Sequence, residues 1–565
     1  MAAMLDASHW LAHYQPGVPA QIDVPTESLA TLIDHAAEQA PDHLATSFFG
    51  ATMTYAQLGV AVSRAAEGLR RLGVRAGDRV ALILPNCPQH IIAFYAILRL
   101  GAIVVEHNPL YTPRELRHMF EDHTARVAIC WDHAVEKLRS QPDDIGLEHT
   151  IAVNLLDAFP SSLRFALRLP IPSLRSKRAA LTAKAPGAIP WRKFLHNPGL
   201  DPAHPYPEAS DLAAIQYTSG TTGVPKGAML THANLYSNAL QAWAWFPHMT
   251  QRTEVIYSVL PMFHAFGLTL ALTLGVLIQA QVVLFPTVDA SMIISAAKRT
   301  PPTVLGGVPP IFHVVGAMAK RKRVSLATAR FCFCGAMNLP EETAATWEKQ
   351  TGVPLIEGYG MTEASPVLCG NPANALRPGS VGVPFPSTEV KVVEVDDPTR
   401  EVALGERGEL LARGPQVFCG YWNNPEETDR TLLPGGWLRT GDIVTQAADG
   451  YLTIVDRVKE LIITGGFNVA PTEVETILKS HPDIQEAAVV GVPLPVGGER
   501  VSAAVVLRDG ARFDAEELRR YCKARLAAYK VPKLIVAMDD LPKSLLGKIV
   551  RGQVRDMLVD AHVTA

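Results

Sequence analysis

The sequence predicts an α/β protein with a large N-terminal α/β domain of several subdomains and a small α+β domain at the C-terminus. Three observations lead to this fold class. Short apolar strands without polar alternation follow one another in the N-terminal part, helical segments separate them, and the pattern changes after about residue 455. Strands of this kind are typical of a parallel sheet that is covered on both faces.

The N-terminal elements appear in the order that such a sheet requires. Apolar residues at helical spacing from Leu58 to Leu72 predict a helix, and Gly73 stands where it would end. RVALILP then predicts a buried strand, HIIAFYAILRLG a helix, and AIVVEH and RVAICWD two more buried strands. The apolar run at 266–285 has the length of a membrane span, but its two glutamines and β-branched last part favour a buried helix that leads into a buried strand.

The elements after about residue 455 are shorter and mixed. PTEVETILKSHP predicts a helix, QEAAVVGVP and RVSAAVVLRD predict two strands, and DAEELRRYCKARLAAY predicts a second helix. KLIVAMDDLP and a final helix around IVRGQVRDMLVD complete a unit of about 105 residues, which is a normal size for a small domain. We therefore place the boundary in DRVKELI and predict domains at 1–456 and 457–565.

The composition excludes several classes of protein. With 565 residues, 48% of them apolar, the chain can bury a large core and is not disordered. Its 52 Lys and Arg residues against 55 Asp and Glu residues give a net charge of -3, which argues against nucleic acid as a partner. Seven scattered cysteines favour a reducing compartment, and the first thirty residues contain no secretory signal, so we predict a cytoplasmic protein.

The segment 161–198 departs from this charge balance. It holds eight Arg and Lys residues and no acidic residue, together with apolar residues such as Phe165 and Leu169. Two interpretations stay open. The segment is either a patch that rests on anionic lipid at the inner face of a membrane, where each basic side chain contributes about 1 kcal/mol, or a solvated connecting loop.

The most informative run is YTSGTTGVPKG at 217–227. Its glycines let backbone N–H groups approach phosphate oxygens, its hydroxyl side chains donate further hydrogen bonds, and Lys226 supplies a positive charge. Counted from Gly220, Pro225 stands where a Walker A loop has its second glycine, and Gly227 replaces the hydroxyl residue that binds Mg²⁺. The run therefore predicts a phosphate loop of another kind.

This loop resembles the phosphate-loop signature of the adenylate-forming acyl-CoA synthetases, and the resemblance extends over nearly the whole chain. Six further motifs follow in the order of that family: PMFHAFG, EGYGMTE, GWLRTGD, DRVKELI, GGFNVAPTEVE and LPKSLLGKIVR. From EGYGMTE to the C-terminus the sequence is most similar to the bacterial long-chain fatty acid CoA ligases. The resemblance implies a domain of the adenylate-forming type followed by a mobile C-terminal domain.

The resemblance also implies a reaction in two steps that uses ATP, Mg²⁺ and CoA. The carboxylate of a fatty acid attacks the α-phosphate of ATP, which gives acyl-AMP and pyrophosphate, and the thiol of CoA then displaces AMP. Glu363 would hold Mg²⁺, a cation that prefers carboxylate and phosphate oxygens, and Thr362 would bond the α-phosphate. The other phosphates would be bound by residues of the phosphate loop, namely Thr218, Ser219, Gly220, Thr221, Thr222 and Lys226.

The nucleoside would be held by other motifs of the family. Asp442 would accept hydrogen bonds from the ribose hydroxyls with Arg457 as its companion, and a structural salt bridge is the alternative for either residue. Tyr359 would offer its ring to adenine, with core packing as the alternative. The remaining positions at the nucleotide and acyl pockets would be Gly335, Ala336, Glu357, Gly358 and Gly360.

Four positions would serve the acyl group and the second step. His264 would orient the acyl carboxylate or gate the acyl pocket, unless it is a core histidine. Lys548 would bridge the carboxylate and the α-phosphate, where an ammonium stabilises developing charge, unless it is a surface lysine. Lys459 would be the hinge of the small domain, and the pair Gly465 and Gly466 would line a narrow channel for the pantetheine of CoA.

We therefore expect an ATP-dependent long-chain fatty acid CoA ligase that acts on small-molecule substrates, namely a fatty acid, ATP and CoA. A ligase for medium-chain or aryl acids and a catalytically inactive acyl-nucleotide-binding protein are the alternatives. The resemblance leaves a homodimer open.

Overall fold

The computed structural model describes residues 8–218, 225–457, 460–464, 467–494, 499–526, 528–544 and 547–563. The strands of the N-terminal part form three sheets, and those of the C-terminal part form two small ones. The α-helices of the described residues are Ser8–Leu11, Thr31–Gln39, Tyr55–Arg71, Pro88–Arg99, Pro113–His123, Val135–Arg139, Ser161–Ala166, Pro172–Leu181, Trp191–Phe194, His232–Ala244, Ala265–Gly267, Gly275–Leu277, Ala290–Ala297, Pro309–Lys322, Glu341–Thr351, Pro425–Thr431, Pro471–Lys479, Ala515–Lys523 and Arg551–Val563.

The first sheet is parallel except at one edge. Its last strand pairs antiparallel with its neighbour, as a hairpin does, while the other pairs are parallel. The predicted strands RVALILP, AIVVEH and RVAICWD are all confirmed within it. The strands in spatial order are Ile189–Pro190, His149–Val153, Val127–Trp131, Arg79–Ile83, Ile103–Glu106, Leu212–Thr218 and Lys226–Thr231.

The second sheet has a parallel centre with antiparallel strands at both edges. Its central strands are almost wholly apolar and buried, as expected for a sheet with helices on both faces. The strands in spatial order are Val383–Pro384, Val367–Gly370, Leu355–Gly360, Phe331–Cys334, Val304–Gly307, Val255–Ser258, Gln281–Leu284, Leu44–Phe48 and Ala51–Thr54.

The third sheet is antiparallel. Its last strand stops at Arg457, and the domain boundary at 456 stays a prediction. The third sheet contains Glu389–Val393, Arg407–Arg413, Leu432–Leu433, Trp437–Gln446 and Leu452–Arg457. The C-terminal sheets contain Ile462–Thr464 with Phe467–Val469, and Ile484–Pro493 with Glu499–Leu507 and Leu534–Ala537.

Two helices fill the space between the first and second sheets. The predicted helix at 58–72 is confirmed as Tyr55–Arg71. It starts with a capping box in which the Thr54 hydroxyl accepts from the amide of Gln57 at 3.3 Å, and it ends just before Gly73, whose φ is +89°. The predicted helix HIIAFYAILRLG is Pro88–Arg99, which is buried on every side. A helix without an exposed face belongs in the middle of a large core.

The carboxyl ends of the two parallel sheets are fastened to each other by one buried amide. Asn86 follows the strand Arg79–Ile83, and its Nδ2 donates to the carbonyl oxygens of Ser258 at 2.9 Å and Leu260 at 2.7 Å. Its Oδ1 accepts from the amide of Met262 at 2.8 Å. Because the side chain uses both its donor and its acceptor groups, it fixes the start of the motif PMFHAFG against the first sheet.

The apolar run at 266–285 is a buried helix followed by a buried strand, as predicted. A seven-residue π-helical stretch, Leu268–Leu274, leads to the helix Gly275–Leu277 and the strand Gln281–Leu284. The hydroxyl of Tyr95 donates to the carbonyl oxygen of Leu272 at 2.6 Å, which ties the stretch to the central helix Pro88–Arg99. Across the described ranges no helix has both the length and the hydropathy that a bilayer crossing needs.

Part of the basic segment 161–198 is helical, whereas one of the two interpretations was a solvated connecting loop. The helices Ser161–Ala166 and Pro172–Leu181 contain no buried residue, while Leu167 between them is only 4% exposed. The carbonyl oxygen of Leu181 accepts from the Trp131 indole at 3.2 Å, which fastens the second helix to the first sheet.

Candidate active site

The predicted phosphate loop joins the last two strands of the first sheet. Leu212–Thr218 and Lys226–Thr231 run antiparallel, Thr218 is the register partner of Lys226, and the Thr218 hydroxyl donates to the Lys226 carbonyl oxygen at 3.4 Å. The structure therefore brings the two ends of the predicted loop together. Ser219, Gly220, Thr221 and Thr222 lie outside the described residues.

The side chain of Lys226 forms an ion pair with Glu427, a residue of the short helix Pro425–Thr431. Both side chains are largely shielded, with exposed fractions of 11% and 16%. The Lys226 ammonium also lies 5.4 Å from the centroid of the Tyr421 ring, within the range of a cation–π contact.

Tyr421 connects this lysine to the predicted magnesium ligand. Its hydroxyl donates to Glu363 Oε1 at 2.6 Å, and the backbone oxygen of Glu363 accepts from the amide of Phe418 at 2.9 Å. Burial first, and the Glu363 carboxylate second, raise the pKa of Tyr421 far above its ordinary value, so the phenol stays a donor. Glu363 lies in the 3₁₀ turn Thr362–Ala364, which places Thr362 beside it at the end of the second sheet.

The predicted nucleoside residues also meet. The Tyr359 hydroxyl donates to Asp442 Oδ2 at 2.5 Å, and both residues are buried. Asp442 and Arg457 are register partners on the antiparallel strands Trp437–Gln446 and Leu452–Arg457, so their backbones are adjacent. The side chain of Arg457 lies outside the described residues.

Gly360 leaves no room for a side chain, and Gly335 leaves little. A Cβ on Gly360 would lie 1.9 Å from the carbonyl oxygen of Pro366, and one on Gly335 would lie 3.2 Å from that of Gly358 and 3.3 Å from the Phe266 ring. Ala336, which follows the strand Phe331–Cys334, has a φ of +62°. Neighbouring backbone segments therefore approach each other closely at this edge of the second sheet. A wall of this kind suits a flat ligand.

Glu357 is a buried carboxyl group among the predicted nucleotide residues. Its side chain lies inside the same edge, and its Oε1 accepts from the amide of Leu339 at 3.0 Å. Burial raises its pKa from 4.5 to about 7, and the hydrogen bond from Leu339 offsets part of this effect.

His264 begins the helix Ala265–Gly267, where its Nδ1 accepts from the amide of Phe266 at 3.4 Å. Burial lowers its pKa, so the ring is neutral at pH 7. Phe266, the residue it caps, is the one whose ring faces Gly335. The predicted role of His264 at the acyl group stays a prediction.

Lys548 is half-buried and lies in a turn at the edge of the C-terminal unit. Its amide donates to the Ser544 hydroxyl at 3.2 Å, its carbonyl oxygen accepts from the amide of Ser544 at 2.7 Å, and Gly547 has a φ of +79°. A Cβ on Gly547 would lie 3.8 Å from Pro310, at the start of the helix that follows the strand Val304–Gly307. The turn thus lies against the carboxyl edge of the second sheet. Lys459, Gly465 and Gly466 are outside the described residues.

Two site residues were missed in the sequence, Tyr421 and Glu427. The signal was the run GYWNNPEETD, in which Asn424, Pro425 and two acids predict a helix start directly after two aromatic residues. What the run does not reveal is that its backbone pairs with the strand Lys226–Thr231, almost two hundred positions earlier.

The residues present fit a nucleotide with Mg²⁺. A lysine and a threonine flank the predicted phosphate loop, a buried carboxylate of Glu363 is held by a phenol, and Asp442 presents a second carboxylate beside Tyr359. Mg²⁺ in such sites is commonly bound by one or two carboxylates together with substrate phosphates.

The fold and this site define an adenylate-forming enzyme, and the chain belongs to the AMP-binding enzyme family. The family model matches residues 33–422, and the model of the AMP-binding enzyme C-terminal domain matches residues 473–548.

Relatives cover almost the entire chain. A long-chain-fatty-acid–CoA ligase of Bacillus subtilis (strain 168) is 35% identical over 98% of this chain and 98% of its own length. One of Salmonella typhimurium is 38% identical over 97% of this chain and 98% of its own length. A crystal structure of an anthranilate CoA ligase in complex with anthranoyl-AMP is 26% identical, with a TM-score of 0.80 over 96% of this chain and 99% of that one.

Glu357→Gln should remove one contribution to the pH dependence of stability. Between pH 4.5 and about 7 the Glu357 carboxyl group holds a proton in the folded state that the unfolded state has lost, so its contribution to stability falls as the pH rises through this window. The fall should be on the order of 3 kcal/mol and level off above the upper limit. The measurement is the midpoint of thermal unfolding from pH 4.5 to 8.

Glu342→Gln, an exposed carboxyl group on the helix Glu341–Thr351, is the matched control and should follow the wild type. Parallel curves for Glu357→Gln and the wild type would contradict a protonated Glu357.

Proposed function

We propose that this protein is a long-chain fatty acid CoA ligase that consumes ATP. The observation that carries the proposal is that Tyr421 connects Lys226 of the first sheet with Glu363 of the second, while Tyr359 of the second sheet bonds Asp442 of the third. The full-length similarity to long-chain-fatty-acid–CoA ligases supports the choice of substrate class. The similarity to a structure that holds an acyl-adenylate supports the intermediate.

The reaction balances as two displacements. In the first, a carboxylate oxygen of the fatty acid bonds to the α-phosphorus of ATP and the bond to pyrophosphate breaks. In the second, the sulfur of CoA bonds to the acyl carbon and the bond to the oxygen of AMP breaks. Mg²⁺, when bound, neutralises phosphate charge beside Glu363. Lys226 and the phosphate loop position the triphosphate, and catalysis of phosphoryl-type transfer depends mostly on such positioning and charge.

The other predicted roles belong to the same proposal. Asp442 takes the ribose hydroxyls and Tyr359 contributes its ring to the adenine pocket, while Thr362 bonds the α-phosphate. The pKa of His264 supports a neutral ring that orients the acyl group rather than an imidazolium that would pair with it. Gly335 and Ala336 form part of the pocket wall, which is consistent with the close backbone approach at Gly335.

The domain boundary and the hinge are also proposals. The third sheet ends at Arg457, and Asp456 Oδ2 accepts from the amide of Thr472 at 3.1 Å, so the small domain starts directly behind the sheet. A hinge at Lys459 would let this domain rotate between the two steps, so that Gly465 and Gly466 take the place of Lys548 at the active site. A homodimer stays a prediction.

Acid-dependent pyrophosphate release tests the function. With Mg²⁺ and ATP, palmitate or oleate should give the highest rate in a panel that also contains acetate, octanoate, coumarate and amino acids. Thioester should form only when CoA is added. A maximum with coumarate would assign the protein to the aryl acid ligases, and silence with every acid would support the inactive binding protein.

Lys548→Ala should separate the two steps. Because an ammonium at the α-phosphate stabilises charge that develops in the first transition state, acyl-AMP formation should fall by about 100-fold or more. Preformed acyl-AMP should still give thioester with CoA at nearly the wild-type rate. Lys533→Ala, an exposed lysine of the same domain, is the control. Equal loss of both steps would contradict the role of Lys548.

We further propose that the cytoplasmic protein touches anionic membrane through the helices of 161–181. Phe165, Leu169 and Ile171 are 69%, 38% and 46% exposed, and residues 161–181 contain five basic residues and no acidic one. Exposed apolar residues within a basic patch suit a surface of acidic headgroups, because the burial of apolar area and the attraction between charges both favour binding there. Leu167 and the contact of Leu181 with Trp131 hold this patch on the first sheet.

Reversing two charges of this patch should release the protein from lipid. Arg175→Glu with Arg178→Glu should weaken co-sedimentation with phosphatidylglycerol vesicles by about tenfold or more, because each basic residue contributes about 1 kcal/mol. Lys320→Glu with Arg321→Glu makes the same charge change at the end of the helix Pro309–Lys322 and should retain binding. Equal loss in both variants, or none in either, would contradict this surface.

A further inference from the structure

The ion pair between Lys226 and Glu427 has a consequence for ATP binding. Lys226 is the residue proposed to bind the phosphates, and in the structure its ammonium is engaged by a carboxylate. Both side chains are mostly shielded from water, so the attraction between them is less screened than that of an exposed pair. The Glu427 carboxylate thus occupies the position beside the Lys226 ammonium that a phosphate would take.

The backbone that carries Glu427 is firmly held. The amide of Trp422 donates to the carbonyl oxygen of Gly227 at 2.8 Å, and the amide of Tyr421 donates to the Thr428 hydroxyl at 2.9 Å. The amide of Glu427 itself donates to Asn424 Oδ1 at 3.1 Å, which caps the short helix. The carboxylate is therefore part of the built site and not the end of a loose arm.

The surrounding charges make this carboxylate a competitor of phosphate. Arg430 Nη1 lies 3.7 Å from Glu427 Oε2, whereas Lys226 contacts Oε1, and the Arg430 side chain is 72% exposed. A triphosphate that reaches Lys226 brings negative charge toward the Glu427 carboxylate, and like charges at short range repel. Binding therefore requires the lysine to shift its hydrogen bonds from the carboxylate to the phosphate.

We propose that Glu427 is a displaceable latch on Lys226 that sets the affinity for Mg·ATP. Without nucleotide it holds the ammonium beside the phosphate loop, and Mg·ATP displaces it. Glu427 is a positioning residue, since it acts through Lys226. The inference rests on the proposed role of Lys226 in phosphate binding.

The test is the equilibrium dissociation constant of Mg·ATP, measured by calorimetry without fatty acid on the full chain. Glu427→Gln keeps the shape of the side chain and removes its charge, so Mg·ATP should bind about three- to tenfold more tightly. Glu427→Ala should shift the affinity in the same direction.

Glu426→Gln is the matched control. Glu426 precedes Glu427 in the same helix, is 85% exposed and faces Arg430 at 3.9 Å, so its removal changes the net charge equally without touching Lys226. The dissociation constant of Mg·ATP for Glu426→Gln should equal that for the wild type. A comparable gain in this variant would reduce the effect to general electrostatics and overturn the latch.

A double-mutant cycle separates this inference from the proposed function. Lys226→Met should weaken Mg·ATP binding by about tenfold or more. When Glu427→Gln is added to Lys226→Met, it should not tighten Mg·ATP binding as it does in the wild type. If Lys226→Met leaves binding unchanged, the proposed role of Lys226 fails. If Lys226→Met weakens binding but Glu427→Gln weakens binding too or leaves it unchanged, Lys226 keeps its role and the latch is overturned.

Discussion

The antiparallel pairing of segment 419–422 with the strand Lys226–Thr231 is the constraint on which the site depends. The amide of Met229 donates to the carbonyl oxygen of Gly420 at 2.9 Å, and the amide of Cys419 donates to that of Met229 at 3.2 Å. This pairing places Tyr421 between Lys226 of the first sheet and Glu363 of the second. This backbone pairing therefore sets the distance between the Lys226 ammonium and the Glu363 carboxylate, which belong to different sheets.

The two sheets meet at their carboxyl ends for a related reason. Asn86 bonds three backbone groups of the chain after the strand Val255–Ser258, and an amide of this kind is costly to bury unless its groups are satisfied, by about 1–3 kcal/mol for each unpaired group. Parallel strands bring their carboxyl ends to one edge. The residues after those ends, among them Gly335, Tyr359 and Glu363, are therefore neighbours although the sequence separates them.

The elements that follow from local patterns were predictable. The helix Tyr55–Arg71, the strand Arg79–Ile83 and the strands of the C-terminal unit depend on apolar periodicity and on breakers such as Gly73, which the sequence displays directly. The candidate site residues around Lys226, Glu363 and Asp442 were predictable because the motifs that contain them occur in the order known for the family.

What could not be predicted depends on tertiary pairing. Tyr421 and Glu427 belong to no motif that was recognised, and their roles depend on a ladder between distant segments. The helices of 161–181 escaped prediction because their apolar residues are exposed, so periodicity gave no core face to detect. The hydrogen bond from Tyr359 to Asp442 likewise joins two predicted residues whose proximity only the fold reveals.

The chemical nature of each partner explains how this site remains suited to a polyanion although it is rich in acids. Glu363 and Asp442 are held by the phenols of Tyr421 and Tyr359, and a phenol orients a carboxylate without cancelling its charge. Burial raises the pKa of Glu357 to about 7, so at neutral pH this acid carries less negative charge toward a phosphate than an ordinary carboxylate would. Glu427 forms an ion pair with Lys226, so the nucleotide must take over this lysine when it binds.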